Sequence, residues 1–384
     1  LTLLVASLAV TGGARGVLWK VAAVGLVAAY VGTAFECFRF FHWVLPMSAP
    51  LGAAFSTSFG AVIWQVVLEE KQKGRIKGMF GTYLSPTVVQ GLIESGKDPE
   101  LGGHDAEITP YFSDIQSFSS FSEVLSASRL GELLNEYLST CTDIVQAEGG
   151  TLDKFIGDAV VAMYGAPVEI RDHALRACVA SQLVHRQLAA LREKWKGEGD
   201  KWPPLVHKLR TRIGLNTGVC MIGNMGSQTR FNYTMMGDNV NLAARMESGA
   251  KSWGVYTMCT EAAKSAAEAH GPGRLVFRSL GRIVVKGRSQ AVPIHEIVGL
   301  KEDVSDRTLE CLGLFEQAMA RMCARDWDAA LALFRRSAEL EPNQPGVTPG
   351  VKLNASLVRI EKVEACKLDP PPETWDGVEV MTEK

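Results

Sequence analysis

An alternation of strand and helix patterns between residues 106 and 222 constrains the fold most strongly. Short apolar stretches of strand length alternate with longer stretches whose apolar residues recur at the helical period. Strands are expected at 108–115, 151–156, 159–164, 209–215 and 219–222, and helices at 118–148 and 173–195. The first six elements follow the order βαββαβ, which is the split βαβ, ferredoxin-like arrangement. We therefore predict an α+β domain, and because this fold occurs with many functions, the function must be argued from the site.

Two aspartates interrupt the strand patterns of this domain. Asp114 lies in YFSDIQSF and Asp158 lies in DKFIGDAVVAMYG, each at the edge of a run that otherwise indicates a buried strand. A carboxylate in such surroundings costs free energy unless its charge is compensated. Two converging carboxylates without a basic neighbour in sequence favour a divalent cation, most simply Mg²⁺, which prefers oxygen ligands and phosphate-bearing substrates. The alternative is structural, because Gly157-Asp158 is a turn signal and Asp114 can cap a strand end.

A second group of polar residues lies in the segment FNYTMMGDNVNLAARMES, at 231–248. A helix is expected to begin at Asp238, so that Asn241 and Arg245 lie four residues apart on one helical face. Arginine suits a phosphate oxygen, and asparagine can orient a sugar or a phosphate. A solvated helix face is the alternative. Lys154 precedes Asp158 by four residues, and strand alternation places both on the same side; the alternative there is a local Lys–Asp pair.

Charge and cysteine content exclude some classes of function. The 384-residue chain has a net charge of −2, so no global basic field indicates a nucleic-acid partner. Its eight cysteines are scattered, without a CxxC pair and without histidine at zinc-site spacing. They indicate small buried side chains in a reducing compartment and not a disulfide framework.

The amino-terminal region is much more apolar than the rest. Two stretches, at 19–38 and 43–68, have about the length that a hydrocarbon core near 30 Å requires. The flanking basic residues place everything after Glu69 in the cytoplasm by the positive-inside tendency; they are Arg15, Lys20, Lys71, Lys73, Arg75 and Lys77. We therefore predict a multi-pass protein of the cell inner membrane, with lipid contacts through these helices and with the domain after Glu69 in the cytoplasm. A buried soluble hairpin is the alternative. LTLLVASLAV is interpreted as the end of a truncated helix, since a signal peptide would begin with a basic region.

Three motifs occur in the order and with the spacing of a known enzyme family. They are FSDIQSFSSFSE, DKFIGDAVVAMYGAP and NYTMMGDNVNLAARME. Over about residues 106–299 the chain resembles the class III nucleotidyl cyclase catalytic domain. The resemblance implies that Asp114 and Asp158 bind two Mg²⁺ or Mn²⁺ ions, with assistance from the carbonyl of Ile115.

The same resemblance implies roles for the other polar residues. Lys154 and Thr234 are expected to hydrogen-bond the purine edge, and this combination is similar to the adenylate-forming branch of the family. Guanylate-forming relatives usually have an acidic residue and a small polar residue at these two positions. Asn241 is expected to orient the ribose, and Arg245 to stabilise charge on the α-phosphate.

Arg212 and Lys286 match the triphosphate-binding positions of the family less distinctively, and both could equally be surface charges. The implied reaction is attack of the ribose 3′-OH of ATP on the α-phosphate, which gives 3′,5′-cyclic AMP and pyrophosphate. In this family the site lies between two catalytic domains, so a head-to-tail homodimer is expected. A guanylate cyclase and a catalytically inactive regulatory module remain as alternatives.

The expected organisation has four parts. They are transmembrane helices at 1–68, a juxtamembrane helix and connector at 69–105, the cyclase domain at 106–299, and a helical tail at 300–384. The tail contains one tetratricopeptide-like helix pair, which cannot bury its own apolar face and is expected to pack on the cyclase domain or on its partner. The combination resembles bacterial cyclases with an extracytoplasmic CHASE2 sensor, which would precede Leu1, so the chain is interpreted as a fragment.

Overall fold

The structure is a computed structural model that describes residues 17–57, 59, 60, 63, 64, 67, 71, 101–227, 229–285 and 290–381. The chain divides into two compact units, residues 1–83 and 84–384. The predicted juxtamembrane helix and connector lie mostly outside the described residues, and Lys286 lies outside them too.

The amino-terminal unit contains helix α1, Val17–Phe41, and a second helical stretch at residues 48–57. The predicted span from Trp43 to Leu68 is wrong in its first part, because residues 42–47 are not helical. Pro46 lies within this stretch, and the residue before a proline is disfavoured in helical conformation. Across the residues that the structure describes, no helix combines the length and the apolar character that crossing a membrane requires. The prediction of two transmembrane helices is therefore not supported.

The second unit is built around a ten-stranded sheet. Eight strands follow the order β10-β8-β9-β7-β4-β1-β3-β2, and β5 and β6 form a hairpin that pairs with the first half of β1. The strands are β1 Gly102–Ile115, β2 Thr151–Ile156, β3 Ala159–Tyr164, β4 Thr211–Leu215, β5 Gly218–Ser227, β6 Arg230–Met236, β7 Thr257–Thr260, β8 Leu275–Val285, β9 Val292–Leu300 and β10 Val378–Met381. The predicted βαββαβ topology is confirmed, since β4, β1, β3 and β2 are neighbours in that order.

Helices cover the sheet and connect its strands. They are α2 Phe118–Val124, α3 Ala127–Ala147, α4 His173–Gly197, α5 Asp238–Gly249, α6 Glu261–His270, α7 Asp306–Cys323, α8 Trp327–Leu340 and α9 Ala355–Leu368. The prediction of one helix over 118–148 is wrong, because Leu125 is extended and separates α2 from α3. Ser126 then caps α3 by accepting a hydrogen bond from the amide of Arg129, as serine commonly does at a helix start.

One apolar core lies between the sheet and helices α3 and α4. Tyr137 and Trp195 on the helices are fully buried against strand residues such as Val160 and Ile213. A second core joins α5 and strands β7–β9 to the carboxy-terminal helices, and Phe315 and Phe334 meet edge to face in it with ring centroids 5.3 Å apart.

The carboxy-terminal helices thus pack on the sheet of their own chain, one of the two arrangements that the sequence predicts. A buried ion cluster strengthens this contact: Arg278 on β8 binds Glu296 on β9 and, at 2.6 Å, Glu341 just after α8. The last described strand, β10, pairs in parallel with β8. The sequence analysis predicted no strand there.

Candidate active site

The two aspartates of the predicted metal site lie side by side at one end of the sheet. Asp114 is the penultimate residue of β1, and Asp158 follows Gly157 in the two-residue turn between β2 and β3. Gly157 has φ +65°, a left-handed conformation that glycine adopts without steric cost. The turn is held against β1 because the amide of Ile115 donates to Asp158 Oδ2 at 3.0 Å. The structure therefore brings Asp114 and Asp158 together.

The backbone at Asp114 is fixed from the neighbouring strand. Thr211 Oγ1 on β4 donates to the carbonyl oxygen of Asp114 at 2.9 Å and lies 2.8 Å from the hydroxyl of Tyr137. Tyr137 is fully buried and Ile115 nearly so. The acidic side chains therefore project from a rigid layer, which is the arrangement that a precise binding site requires.

Three carboxylates share this end of the sheet. Burial, together with the neighbouring Asp114 carboxyl, raises the pKa of Asp158 to about 7. Burial also raises the pKa of Glu247 on α5 to about 7, and the charges of Asp114 and Asp158 act in the same direction while Arg212 opposes them. Arg212 Nε lies 3.4 Å from Glu247 Oε1, so one positive charge is already present at the edge of the cluster. The site carries an excess of negative charge that a cation would relieve.

These side chains fit a divalent cation that also binds the substrate. Mg²⁺ is typically bound through one or two carboxylates together with phosphate oxygens of the substrate, and seldom by a protein cage. Asp114 and Asp158 supply two carboxylates in contact, as that mode requires. Among the described residues there is no group of three His, Cys, Asp or Glu side chains that could hold an ion alone.

Lys154 and Thr234 meet where β2 lies against β6. Lys154 Nζ on β2 donates to Thr234 Oγ1 on β6 at 3.1 Å, and the Thr234 hydroxyl donates to Asp153 Oδ2 at 2.6 Å. Lys154 also forms an ion pair with Asp153, its nitrogen lying 3.5 Å from Oδ1. The alternative of a local Lys–Asp pair is therefore realised with Asp153 and not with Asp158.

Asn241 and Arg245 lie on α5, which begins at Asp238 as predicted. The helix packs closely on β4, since a Cβ atom at Gly214 would lie 2.1 Å from the amide nitrogen of Glu247. Glu247 is therefore the α5 residue that faces Asp114. Arg245 precedes it by two residues and lies about 200° around the helix. Asn241 is exposed and Arg245 half-buried on that other face.

Two residues of this site were missed by the sequence analysis. Glu247 stands directly after the Arg245 motif, but only the close contact at Gly214 reveals that it faces the aspartates. Asp153 precedes Lys154 and would lie on the opposite face of a regular strand. A register shift between Leu152 and Lys154 removes this alternation. Arg212 belongs to the acidic cluster and is not an isolated surface charge.

Apolar side chains are exposed beside the Lys154–Thr234 contact. They lie on the β2–β3 hairpin and on strands β5 and β6, with exposed fractions between 41% and 60%: Phe155, Ile156, Val219, Met221 and Met236. A concentration of large exposed apolar side chains around a polar site is typical of a protein interaction surface.

The fold and the site define a ferredoxin-like domain that combines a pair of contacting aspartates with a hydrogen-bonded lysine–threonine pair. Residues 103–298 match the adenylate and guanylate cyclase catalytic domain, and the chain belongs to that family. The matched range differs from the predicted 106–299 by a few residues at its ends.

Several relatives are named as adenylate cyclases. Adenylate cyclase 1 of Rhizobium meliloti (strain 1021) is 35% identical over 229 residues, which cover 59% of this chain and 32% of that protein. An adenylate cyclase of Anabaena cylindrica is 28% identical over 56% of this chain and 41% of its own length. The solved structure of a bacterial light-regulated adenylyl cyclase is similar with a TM-score of 0.50 and 28% identity, covering 61% of this chain and 62% of that one. The chain thus spans less than half the length of these two curated relatives.

Proposed function

We propose that this chain is an adenylate cyclase that converts ATP into 3′,5′-cyclic AMP and pyrophosphate. The contact between Lys154 and Thr234 carries the proposal. Lysine is a donor only, and the Thr234 hydroxyl gives its single proton to Asp153, so Thr234 retains acceptor capacity. Adenine offers an acceptor at N1 and a donor at its exocyclic amine, which complement this pair. Guanine offers the reverse at both positions.

The acidic pair suits the phosphate end of the nucleotide, and in the homodimer inferred below it would come from the other copy. Asp114 and Asp158 would hold Mg²⁺ or Mn²⁺, and two ions are proposed because the reaction has both an entering hydroxyl and a leaving pyrophosphate to stabilise. When bound, the metal lowers the pKa of the attacking hydroxyl and neutralises charge on the phosphates. The Ile115 amide fixes the orientation of the Asp158 carboxylate, and Thr211 fixes the backbone of Asp114.

The remaining roles follow from side-chain chemistry. Asn241 would orient the ribose through its amide, and Arg245 would stabilise negative charge that develops on the α-phosphate, because its guanidinium is always charged and donates in a fixed fork. Arg212 would exchange its ion pair with Glu247 for one with the triphosphate. Lys286 would also bind the triphosphate. These assignments imply catalysis by positioning and electrostatics without a side-chain base.

We infer a homodimer with two shared sites. Within one chain Glu247 faces Asp114, and Arg245 lies about 200° away from it on α5, so Arg245 is directed away from the acidic cluster of its own chain. Exposed apolar residues lie on β2 and β6, the strands that carry Lys154 and Thr234, and on β5, which pairs with β6. A two-fold axis through this surface would bring the aspartates of one copy to Lys154, Thr234, Asn241 and Arg245 of the other.

A product assay with two nucleotides tests the proposed activity. The purified chain should form cyclic AMP from ATP with Mg²⁺ or Mn²⁺, and Asp114→Ala should lower the rate by at least about a hundredfold because one carboxylate of the pair is lost. Faster formation of cyclic GMP from GTP would support a guanylate cyclase instead. No product from either nucleotide with the purified dimer and Mn²⁺ would support an inactive regulatory module.

Location in the inner membrane, with the catalytic domain in the cytoplasm, rests on the amino-terminal sequence alone. Fractionation of cells that express the chain tests it: recovery in the membrane pellet after a high-salt wash is expected, and release by salt would contradict it.

A further inference from the structure

Asp153 occupies an irregular position in the sheet. The pairing of β2 with β3 passes from Leu152↔Ala162 directly to Lys154↔Val161, so Asp153 is the extra residue of a β-bulge. Bulges redirect a side chain that would otherwise point to the other face. The side chain of Asp153 is only 1% exposed, although it is a carboxylate. Burial raises its pKa, and hydrogen bonds from Thr234 and Lys154 act against that rise.

The hydrogen-bond directions around Asp153 are determined by the groups present. An ionised carboxylate only accepts and an ammonium group only donates. Thr234 therefore must donate its one proton to Asp153 Oδ2, at 2.6 Å, and must accept from Lys154 Nζ, at 3.1 Å. After these two bonds the hydroxyl oxygen has one lone pair left and no proton. Whatever a purine presents to Thr234 has to be a donor.

We propose that Asp153 is the positioning residue that makes the site select adenine, by holding the Thr234 hydroxyl as a hydrogen-bond acceptor. A threonine hydroxyl without such a partner can rotate and serve either as donor or as acceptor, so it would accept the amine of adenine or donate to O6 of guanine equally well. With Asp153 in place, O6 of guanine meets a lone pair and is rejected. The inference rests on the proposed cyclase activity and adds a residue that contacts no part of the nucleotide.

The second oxygen of Asp153 supports the same role for Lys154. Oδ1 is buried without a hydrogen-bond partner among the described residues, and Lys154 Nζ is 3.5 Å away. The carboxylate therefore attracts the ammonium group toward Thr234, while the Lys154 side chain stays 39% exposed. Lysine has three donors, so at least one remains for N1 of adenine.

The ratio of kcat/KM for ATP to kcat/KM for GTP tests the inference. We expect Asp153→Ala to lower this ratio by about tenfold or more, because a buried partner that fixes a polar group is lost. Asp153→Asn keeps an oxygen acceptor for Thr234 and is expected to keep the ratio within about threefold. Asp172→Ala, which removes an aspartate paired with Arg176 outside the site, is the matched control and should leave the ratio unchanged.

A double-mutant cycle separates positioning from a general structural effect. Thr234→Val removes the hydroxyl at nearly constant volume, and in that background Asp153→Ala should produce no further loss of selectivity. A ratio that falls equally in both backgrounds, or a loss of rate with both nucleotides at an unchanged ratio, would overturn the inference. If the alanine variant does not fold, the asparagine variant decides: a tenfold loss of selectivity with Asp153→Asn would also overturn it.

Binding distinguishes a failure of this inference from a failure of the proposed activity. The analogues 3′-deoxy-ATP and 3′-deoxy-GTP lack the attacking hydroxyl, so calorimetric titration measures base selection alone. Tighter binding of the adenine analogue without any cyclic product would refute the activity, while the same variants would still decide the role of Asp153. Equal binding of both analogues by the wild type would overturn the inference itself.

Discussion

Asp158→Asn should stabilise the metal-free protein although it removes a residue of the active site. In the absence of a cation the pKa of Asp158 lies at about 7, compared with its ordinary value of 3.8. A difference of about three pKa units corresponds to about 4 kcal/mol of unfavourable free energy for the ionised form. Water at the mouth of the site screens part of this unfavourable free energy, so we expect Asp158→Asn to raise the free energy of unfolding by about 1–2 kcal/mol. The amide oxygen of the variant can still accept from Ile115.

The sign of the pH dependence follows from the direction of this pKa. The folded state binds the proton of Asp158 more tightly than the unfolded state does. The contribution of this group to the free energy of unfolding is therefore complete below about pH 4 and is lost as the pH rises through 7. At pH 8.5 in EDTA we expect the variant to melt roughly 2–5 °C above the wild type. At pH 5 the unfolded carboxyl is already ionised and the folded one is not, so only about a third of the effect has developed, and the difference in Tm should shrink to about a third. Addition of Mg²⁺ or Mn²⁺ should raise the Tm of the wild type only.

Differential scanning calorimetry at the two pH values is the assay. Asp143→Asn, at an exposed position of α3, is the matched control and should not change Tm at either pH. A variant that melts below the wild type at pH 8.5 in EDTA would refute the reasoning. A difference of the same size at pH 5 would refute it as well, because the effect would then not come from the charge.

Three further predictions concern the scaffold. Glu341→Ala removes one of the two buried carboxylates that bind Arg278 and should lower Tm by at least about 6 °C in calorimetry. A decrease of less than 2 °C would contradict a stabilising role of this ion cluster. Gly214→Ala should lower both stability and cyclase rate, because its Cβ would meet the α5 backbone at 2.1 Å; unchanged circular-dichroism melting and rate would contradict the packing. His185 is partly buried and lies within hydrogen-bond distance of Thr257, and desolvation lowers its pKa to about 3, so stability should fall as the pH drops below 6.5. His185→Gln should flatten that fall in calorimetry between pH 7 and pH 5, and equal slopes would contradict the assignment.

Features set by local sequence were predicted well. The turn at Gly157-Asp158 and the start of α5 at Asp238 each depend on neighbouring residues, and the structure confirms both. The topology was predicted from the order of the elements along the chain, and the structure confirms it too. The meeting of Lys154 with Thr234 depended on the family resemblance, since the two residues belong to different strands, and the structure brings them together.

Features that depend on a distant part of the chain could not be predicted in the same way. The role of Asp153 requires a bulge, which a strand pattern does not reveal. The position of Glu247 requires the close approach of α5 to Gly214, and β10 forms only because the edge of β8 is available for pairing. Leu125 is apolar and fits a continuous helical period, but its extended backbone ends α2 there.

A complementation experiment tests the central claim, that two copies of this chain form an adenylate cyclase site together. Asp158→Ala and Arg245→Ala should each be inactive alone, since every site in either homodimer lacks one component. When the two variants are mixed in equal amounts and allowed to exchange subunits, half of the dimers carry one intact site out of two. The account predicts recovery of about one quarter of the wild-type rate of cyclic AMP formation. No recovery, in a mixture shown to contain heterodimers, would contradict it.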